Sequence, residues 1–188
     1  MSKRMKVKKI LGELIENRVI IWNLNDSKNL FGSGYYGKPL GISKPKGINF
    51  EAPLILDLIE SYYLIQRGKL KVMSKNNLVP GKYLKEICRK QYDKFDIKYI
   101  VFQNLRDMGY VVSPGIKFGC DFAVYEQGPG IDHAPFLVQV SNKEEIISAT
   151  NIVLSGRLAT TVKKQFVIAV PQVRERKVEF IGFDWWKA

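Results

Sequence analysis

Histidine is all but missing from this chain: His133 is the only one in 188 residues. Cysteine is nearly as scarce, with only Cys88 and Cys120. Neither sits in a Cys-x-x-Cys spacing or near the histidine at metal-ligand spacing, which excludes an ordinary zinc site. Two scattered cysteines in apolar surroundings read as buried thiols in a reducing cytoplasm, the expected location of the protein. Acids are under-represented, 18 Asp+Glu against 30 Lys+Arg, for a formal net charge of +12. That balance points to nucleic acid as a partner ahead of an anionic membrane. No run approaches the roughly 20 apolar residues that cross a bilayer. The basic start MSKRMKVKK is not a signal peptide, because charge returns at Glu13 and Glu16.

Hydrophobic residues at 46% and aromatics at 12% are enough to pack a core, in one domain or two small ones. Small domains bury a smaller share of their surface, which favours an oligomer. Arg18–Leu24 reads as a strand, Asn25–Asn29 as a turn and Phe31–Tyr36 as a short strand or a glycine-rich loop. Gly37-Lys38-Pro39 reads as a turn. Gly41–Asn49, GISKPKGIN, is an exposed loop projecting Lys44 and Lys46, either simply solvated or an arm that touches RNA phosphate. The spacing of Leu54, Ile55, Leu58, Ile59, Tyr62 and Ile65 predicts a helix over Pro53–Arg67, with Gly68 past its end. A strand follows at Lys69–Val72, then helices at Pro80–Lys90 and Asp93–Met108, the latter ended by Gly109. A domain boundary fits the Gln91–Asp93 region, giving domains 1–92 and 93–188.

The second half centres on Gly119–Val140, GCDFAVYEQGPGIDHAPFLVQV, read as strand, Gly/Pro-rich turn and strand. Tyr110–Val112 precedes it as a strand. Lys117–Tyr125 forms the first arm, with Asp121, Ala123 and Tyr125 on one face, and Ala134–Val140 the second. A helical stretch Ile146–Gln165 ends in Lys163-Lys164. Strands follow at Phe166–Val170 and Val178–Phe183. Helix, strands, helix, strands make an α/β (α+β) fold with a mixed sheet.

Tyrosine, histidine and lysine together suit phosphodiester cleavage in RNA without a metal. The 2′-hydroxyl is an internal nucleophile, so the site needs a base, an acid for the departing 5′ oxygen, and a cation for the phosphoryl oxygens. His133 fits the acid and Lys164 the cation. Tyr125 remains for the base, although a free phenol titrates near about 10 and needs neighbouring cations to depress it, or else orients the 2′ oxygen. Each residue also has a plainer reading: a bonded loop histidine, a packed tyrosine, a lysine complementing a helix end. Arg157 lies seven residues before Lys164, close to two helical turns, so both are expected to project from one face about 10 Å apart, with Thr160 and Thr161 between. Such a stripe is either a phosphate track, with an Arg able to stack on an unpaired base, or a solvated helix face.

Tyr99–Val140 and RLATTVKK, Arg157–Lys164, closely resemble the archaeal tRNA-splicing endonuclease family. LIESYYL, Leu58–Leu64, resembles the family's N-terminal helix more weakly. The resemblance implies a small N-terminal α/β domain and a nuclease-like C-terminal domain with a mixed sheet and flanking helices. It implies Tyr125 as general base, His133 as general acid and Lys164 as the transition-state cation, and its register selects Lys164 over Lys163. Arg157 falls where the family grips an extruded bulge base. The implied substrate is precursor tRNA with a bulge–helix–bulge, cut to a 2′,3′-cyclic phosphate and a 5′-hydroxyl with no cofactor or metal.

Two departures stand out. Many family members carry Arg or Lys before a Trp near the C-terminus; here Asp184 precedes Trp185, so the aromatic is kept and the cation is missing. Self-assembling members dock an acidic loop between the last two strands into a basic pocket. Here that loop is PQVRERK, Pro171–Lys177, with three bases and one acid. A structural partner carrying the acidic loop, in a heterotetramer of two plus two, is therefore expected ahead of a homodimer or homotetramer. The GISKPKGIN loop resembles one in crenarchaeal catalytic subunits that contacts RNA. Two alternatives compete. A metal-dependent restriction-like nuclease has Asp121 to start its acidic pair but Gln139-Val140-Ser141 where an acid and a lysine belong. A non-catalytic RNA-binding subunit would be expected to have lost the three catalytic positions.

Overall fold

The computed structural model describes residues 9–43, 45, 47–131 and 134–184. Backbone contacts divide the chain between Asp93 and Lys94 into two compact units, each with its own sheet.

In the first unit the strands are Ile10–Ile15 (β1), Arg18–Ile21 (β2), Lys38–Pro39 (β3), Leu54–Leu56 (β4), Leu70–Ser74 (β5) and Asn77–Val79 (β6). They form one sheet in the order β3-β4-β2-β1-β5-β6, antiparallel throughout except for β1 beside β5. Helices Leu24–Gly32 (α1) and Leu58–Gln66 (α2) pack on it and Gly81–Gln91 (α3) packs on α2, and Val19, Ile21, Leu54, Leu56, Leu64, Val72 and Leu84 are sealed from solvent.

Three expectations fail here for local reasons. Residues 25–32 lie in a helix, α1, in place of the expected turn and start of a short strand or loop, and only 33–36 are the loop. Asn23 caps α1 by accepting the Asp26 N–H at 2.9 Å, and the buried Ser27 hydroxyl donates to the Ile21 carbonyl at 2.9 Å. The helix expected from Pro53 begins only at Leu58, because Leu54–Leu56 pairs with β2 and β3 as an inner strand. Asp57 starts α2 through a capping box: its carboxylate accepts the Ile59 N–H, and Glu60 reaches back to the Asp57 N–H. Lys38–Pro39 is not merely a turn but an edge strand, where a proline's missing N–H is harmless. Gly68 and Gly109 follow their helices in left-handed conformation, as expected.

The second unit comprises Phe95–Asp107 (α4), Val111–Pro114 (β7), Phe122–Tyr125 (β8), Phe136–Val140 (β9), Ala149–Thr161 (α5), Gln165–Gln172 (β10) and Lys177–Phe183 (β11). Its sheet runs β11-β10-β9-β8-β7, antiparallel save for β9 and β10, which α5 connects as a parallel crossover. Helix α4 packs against β7, β9, β10 and β11, while α5 packs against β10. The strand expected over Lys117–Tyr125 is real only from Phe122. Ile116–Phe118 is a 3₁₀ turn, and the Gly115 N–H bonds to the Asp121 carbonyl at 2.9 Å, closing residues 115–121 into a loop. The connection expected over Pro171–Lys177 is shorter, a four-residue turn, 173–176, because the strands extend to Gln172 and from Lys177. Among the described residues no helix is long and apolar enough to cross a membrane.

Asp57 also pairs with Arg18 at 3.2 Å and accepts the Tyr92 hydroxyl at the far end of the unit's chain. Burial, opposed mainly by the Ile59 N–H and Arg18, holds its carboxyl above the usual range. Native protein therefore binds this proton more readily than unfolded chain, and the group favours folding as pH falls through its native pKa. Asp57→Ala is expected to lower the unfolding free energy by about 1–2 kcal/mol in a urea titration. Asp57→Asn, which keeps a capping oxygen, is expected to cost clearly less; equal losses would mean that capping is not its main role.

Candidate active site

One end of the second sheet carries the Tyr125 and Lys164 positions. β8 stops at Tyr125, and its register with β9, Val124 opposite Phe136, carries Tyr125 level with Pro135. β10 starts at the same level, since Gln165 lies opposite Phe136 and its N–H bonds to the Pro135 carbonyl at 2.8 Å. Adjacent strands are about 4.8 Å apart, so the ends of β8 and β10 stand about 10 Å apart with residues 134–135 between them. Ala123, Leu137, Phe166 and Ile168 form, with Ala134 and Ala159, an apolar cluster on the α5 face. Alternation along the strands places Tyr125 with Ala123 and Lys164 with Phe166, both toward that face. Tyr125 is half-buried and packs on the cluster.

Lys164 is held in place by the end of α5. The Lys163 N–H bonds to Thr160 O at 2.9 Å and the Lys164 N–H to Ala159 O at 2.8 Å, the paired bonds of a Schellman motif. The reversal puts Lys163 at φ 55°, a left-handed position that glycine usually fills. The Lys164 ammonium donates to the Ala134 carbonyl at 2.6 Å and lies 5.5 Å over the Phe118 ring. Ala134 directly follows His133 in the chain. Sequence reasoning missed both partners; an aromatic two residues before Cys120 and a backbone carbonyl carry no motif.

This geometry corrects the expected Arg157–Lys164 stripe. The helix ends at Thr161, so Lys164 belongs to the approach to β10 and shares no helical face with Arg157. Arg157 stands exposed on α5, while the Thr160 and Thr161 hydroxyls donate to the carbonyls of Gly156 and Arg157, both at 2.9 Å. A cleft of about 630 Å³ opens beside Lys164, with Phe166, Phe183 and Gly156 as apolar lining and Thr160, Lys163 and Asp184 as polar lining. His133, Lys44, Lys46 and Trp185 lie outside the described residues.

Asp121 has a structural task. Its carboxylate accepts the Val140 N–H at 2.7 Å and pairs with Lys98 at 2.9 Å, tying β9 and α4 to the loop before β8. Those engagements leave it poorly placed to begin a metal-binding pair. Among the described residues no group of three or more His, Cys, Asp or Glu side chains gathers to hold a metal ion.

Two family models match the chain. Residues 95–180 match the tRNA intron endonuclease catalytic C-terminal domain, and residues 10–82 its N-terminal domain. Curated tRNA-splicing endonucleases resemble the chain over nearly its full length. That of Hyperthermus butylicus is 42% identical over 93% of this chain and 97% of its own. That of Sulfurisphaera tokodaii is 40% identical over 95% and 99%, and that of Saccharolobus solfataricus 39% over 93% and 97%.

Neither thiol is a candidate nucleophile. Burial, with Asp57 nearby, pushes Cys88 up to about 12, and burial with the adjoining Asp121 pushes Cys120 up to about 11. Both stay protonated through neutral pH. Iodoacetamide at pH 8 is expected to leave the native protein unmodified and to add two groups after unfolding in urea, read by intact mass. Rapid labelling of the native chain would contradict this assignment.

Proposed function

The chain belongs to the tRNA intron endonuclease family, and from that premise we propose that it is a catalytic subunit that cuts precursor tRNA at the exon–intron junctions of a bulge–helix–bulge. The RNA's own 2′-hydroxyl attacks the adjacent phosphorus, and the bond to the 5′ oxygen breaks. One product ends in a 2′,3′-cyclic phosphate and the other in a 5′-hydroxyl. Tyr125 accepts or orients the 2′ proton, His133 protonates the departing 5′ oxygen, and Lys164 neutralises the charge growing on the phosphoryl oxygens. The observation that carries this reading is the register of β8, β9 and β10. It sets the Tyr125 and Lys164 positions at one sheet end on one face, with the residue after His133 bonded to the Lys164 ammonium.

Arg157, exposed on α5, is the residue for an extruded bulge base, with Trp185 as its aromatic partner. Lys44 and Lys46 add phosphate contacts from the basic loop. The turn between β10 and β11 is basic, carrying Arg174 and Arg176 around Glu175, all exposed. It is unsuited to docking into a cationic pocket, so an acidic-loop partner completes a heterotetramer of two catalytic and two structural chains.

Cleavage of a precursor tRNA transcript in excess chelator tests the proposal. Two cuts leaving cyclic-phosphate and 5′-hydroxyl ends are expected, and His133→Ala is expected to slow them about 100- to 10,000-fold in single turnover. A requirement for added magnesium would overturn the mechanism.

A further inference from the structure

The charge of this protein is not where its chemistry is. Residues 1–93 hold 18 of the 30 Lys+Arg and 8 of the 18 Asp+Glu, a net +10. Residues 94–188 hold the other 12 and 10, a net +2. A cleaving unit so nearly neutral gains little general attraction for an RNA polyanion, whose binding is dominated by phosphate neutralisation.

Within the first unit four of the described cations, Lys82, Lys85, Arg89 and Lys90, stand on α3. Leu84 and Cys88 turn inward and are fully buried, which fixes the orientation of the helix. At 100° per residue, Lys82, Arg89 and Lys90 then spread over the opposite side, around the single acid Glu86, with the half-buried Lys85 at its edge. Glu86 pairs with Arg89 at 2.8 Å. Tyr83, 59% exposed, lies in the same surface. Arg89 and Lys90 in the last turn complement the helix dipole, but Lys82 in the first turn opposes it and no side chain caps that end, so helix stability does not account for Lys82. From Lys82 to Lys90 the helix rises about 12 Å. A nucleic-acid duplex presents a phosphate every ~1.7 Å of its axis, enough over that length to engage every one of these cations.

We infer that the outward face of α3 is a second RNA-backbone surface, holding precursor tRNA by its phosphates and taking no part in the cleavage. The inference rests on the RNA-cleaving reading above and goes beyond it by giving helix α3 a binding task of its own. Cations supply attraction without sequence preference, and the tyrosine ring supplies a stacking or ribose-packing surface. The face therefore serves affinity, while the choice of scissile bond stays with the other unit.

The test is the salt dependence of precursor tRNA binding by the full chain. Replacing Lys82, Lys85, Arg89 and Lys90 by Gln is expected to lower the slope of log Kd against log salt by about 3, at roughly 0.7–0.9 per lost phosphate contact. Two half-variants, Lys82→Gln with Lys85→Gln and Arg89→Gln with Lys90→Gln, are each expected to give about half of that. They keep the test valid should the fourfold variant fold poorly. A charge-matched control replaces Lys117, Lys143, Arg174 and Arg176, all exposed in the other unit, and is expected to change the slope less than half as much. An unchanged slope in the α3 variants, as when the face serves an acidic protein partner, overturns the inference. So does an equal change in the control. Failure of the wild-type chain to cleave would count instead against the enzymatic reading, because this comparison reads binding alone.

Discussion

The reversal at the end of α5 decides where the Lys164 ammonium stands. Two backbone hydrogen bonds, Lys163 N–H to Thr160 O and Lys164 N–H to Ala159 O, stop the helix and throw the chain into β10. The next bond, Gln165 N–H to Pro135 O, starts the parallel ladder with β9. Lys164 is the residue between those two events. Had the helix run on to Gln165, its ammonium would project with Arg157 from α5, away from the end of β8. A left-handed Lys163 is the local cost of this placement, of the order of 1–2 kcal/mol for a residue with a Cβ. The ammonium gains a carbonyl at 2.6 Å and an aromatic face in return.

The same logic explains why the supporting residues are so apolar. Ala123, Leu137, Phe166 and Ile168 fix three strands against α5, and Ala134 and Ala159 are small enough to let the strand ends and the helix end approach. The polar groups sit at the rim of a packed floor and not inside it. A base or a cation on such a rim stays accessible to a long substrate while its backbone is rigidly held. Asp121 contributes to that rigidity from below, bonding the Val140 N–H and Lys98.

How much of this was legible in the chain depends on the element. The β8–β9 hairpin, α3, α4 and the glycine stops at Gly68 and Gly109 follow from periodicity and turn chemistry. β1 was not legible, because Gly12 stands at the middle of its inward row. The reason is steric: a Cβ there would lie 2.5 Å from Val19 Cγ1, so tight strand packing removed the hydrophobic signal. α1 hid behind polar residues, since its first two turns are held by the Asn23 cap and the buried Ser27, and its buried apolar residues, Leu30 and Phe31, come only at its end. Tyr125 and Lys164 were named from spacing and family likeness, but not the reversal that separates Lys164 from Arg157. The stretch Val162–Gln165 has no glycine or proline to announce the break.

The central claim is that phenol, imidazole and ammonium serve one phosphate, with the imidazole protonating the departing oxygen. The most direct measurement replaces the bridging 5′ oxygen of the scissile bond by sulfur, a leaving group that departs without a proton. On that substrate His133→Ala is expected to cleave at nearly the wild-type rate, while Lys164→Ala stays slow. An equal His133→Ala deficit on the oxygen and sulfur substrates would contradict the account.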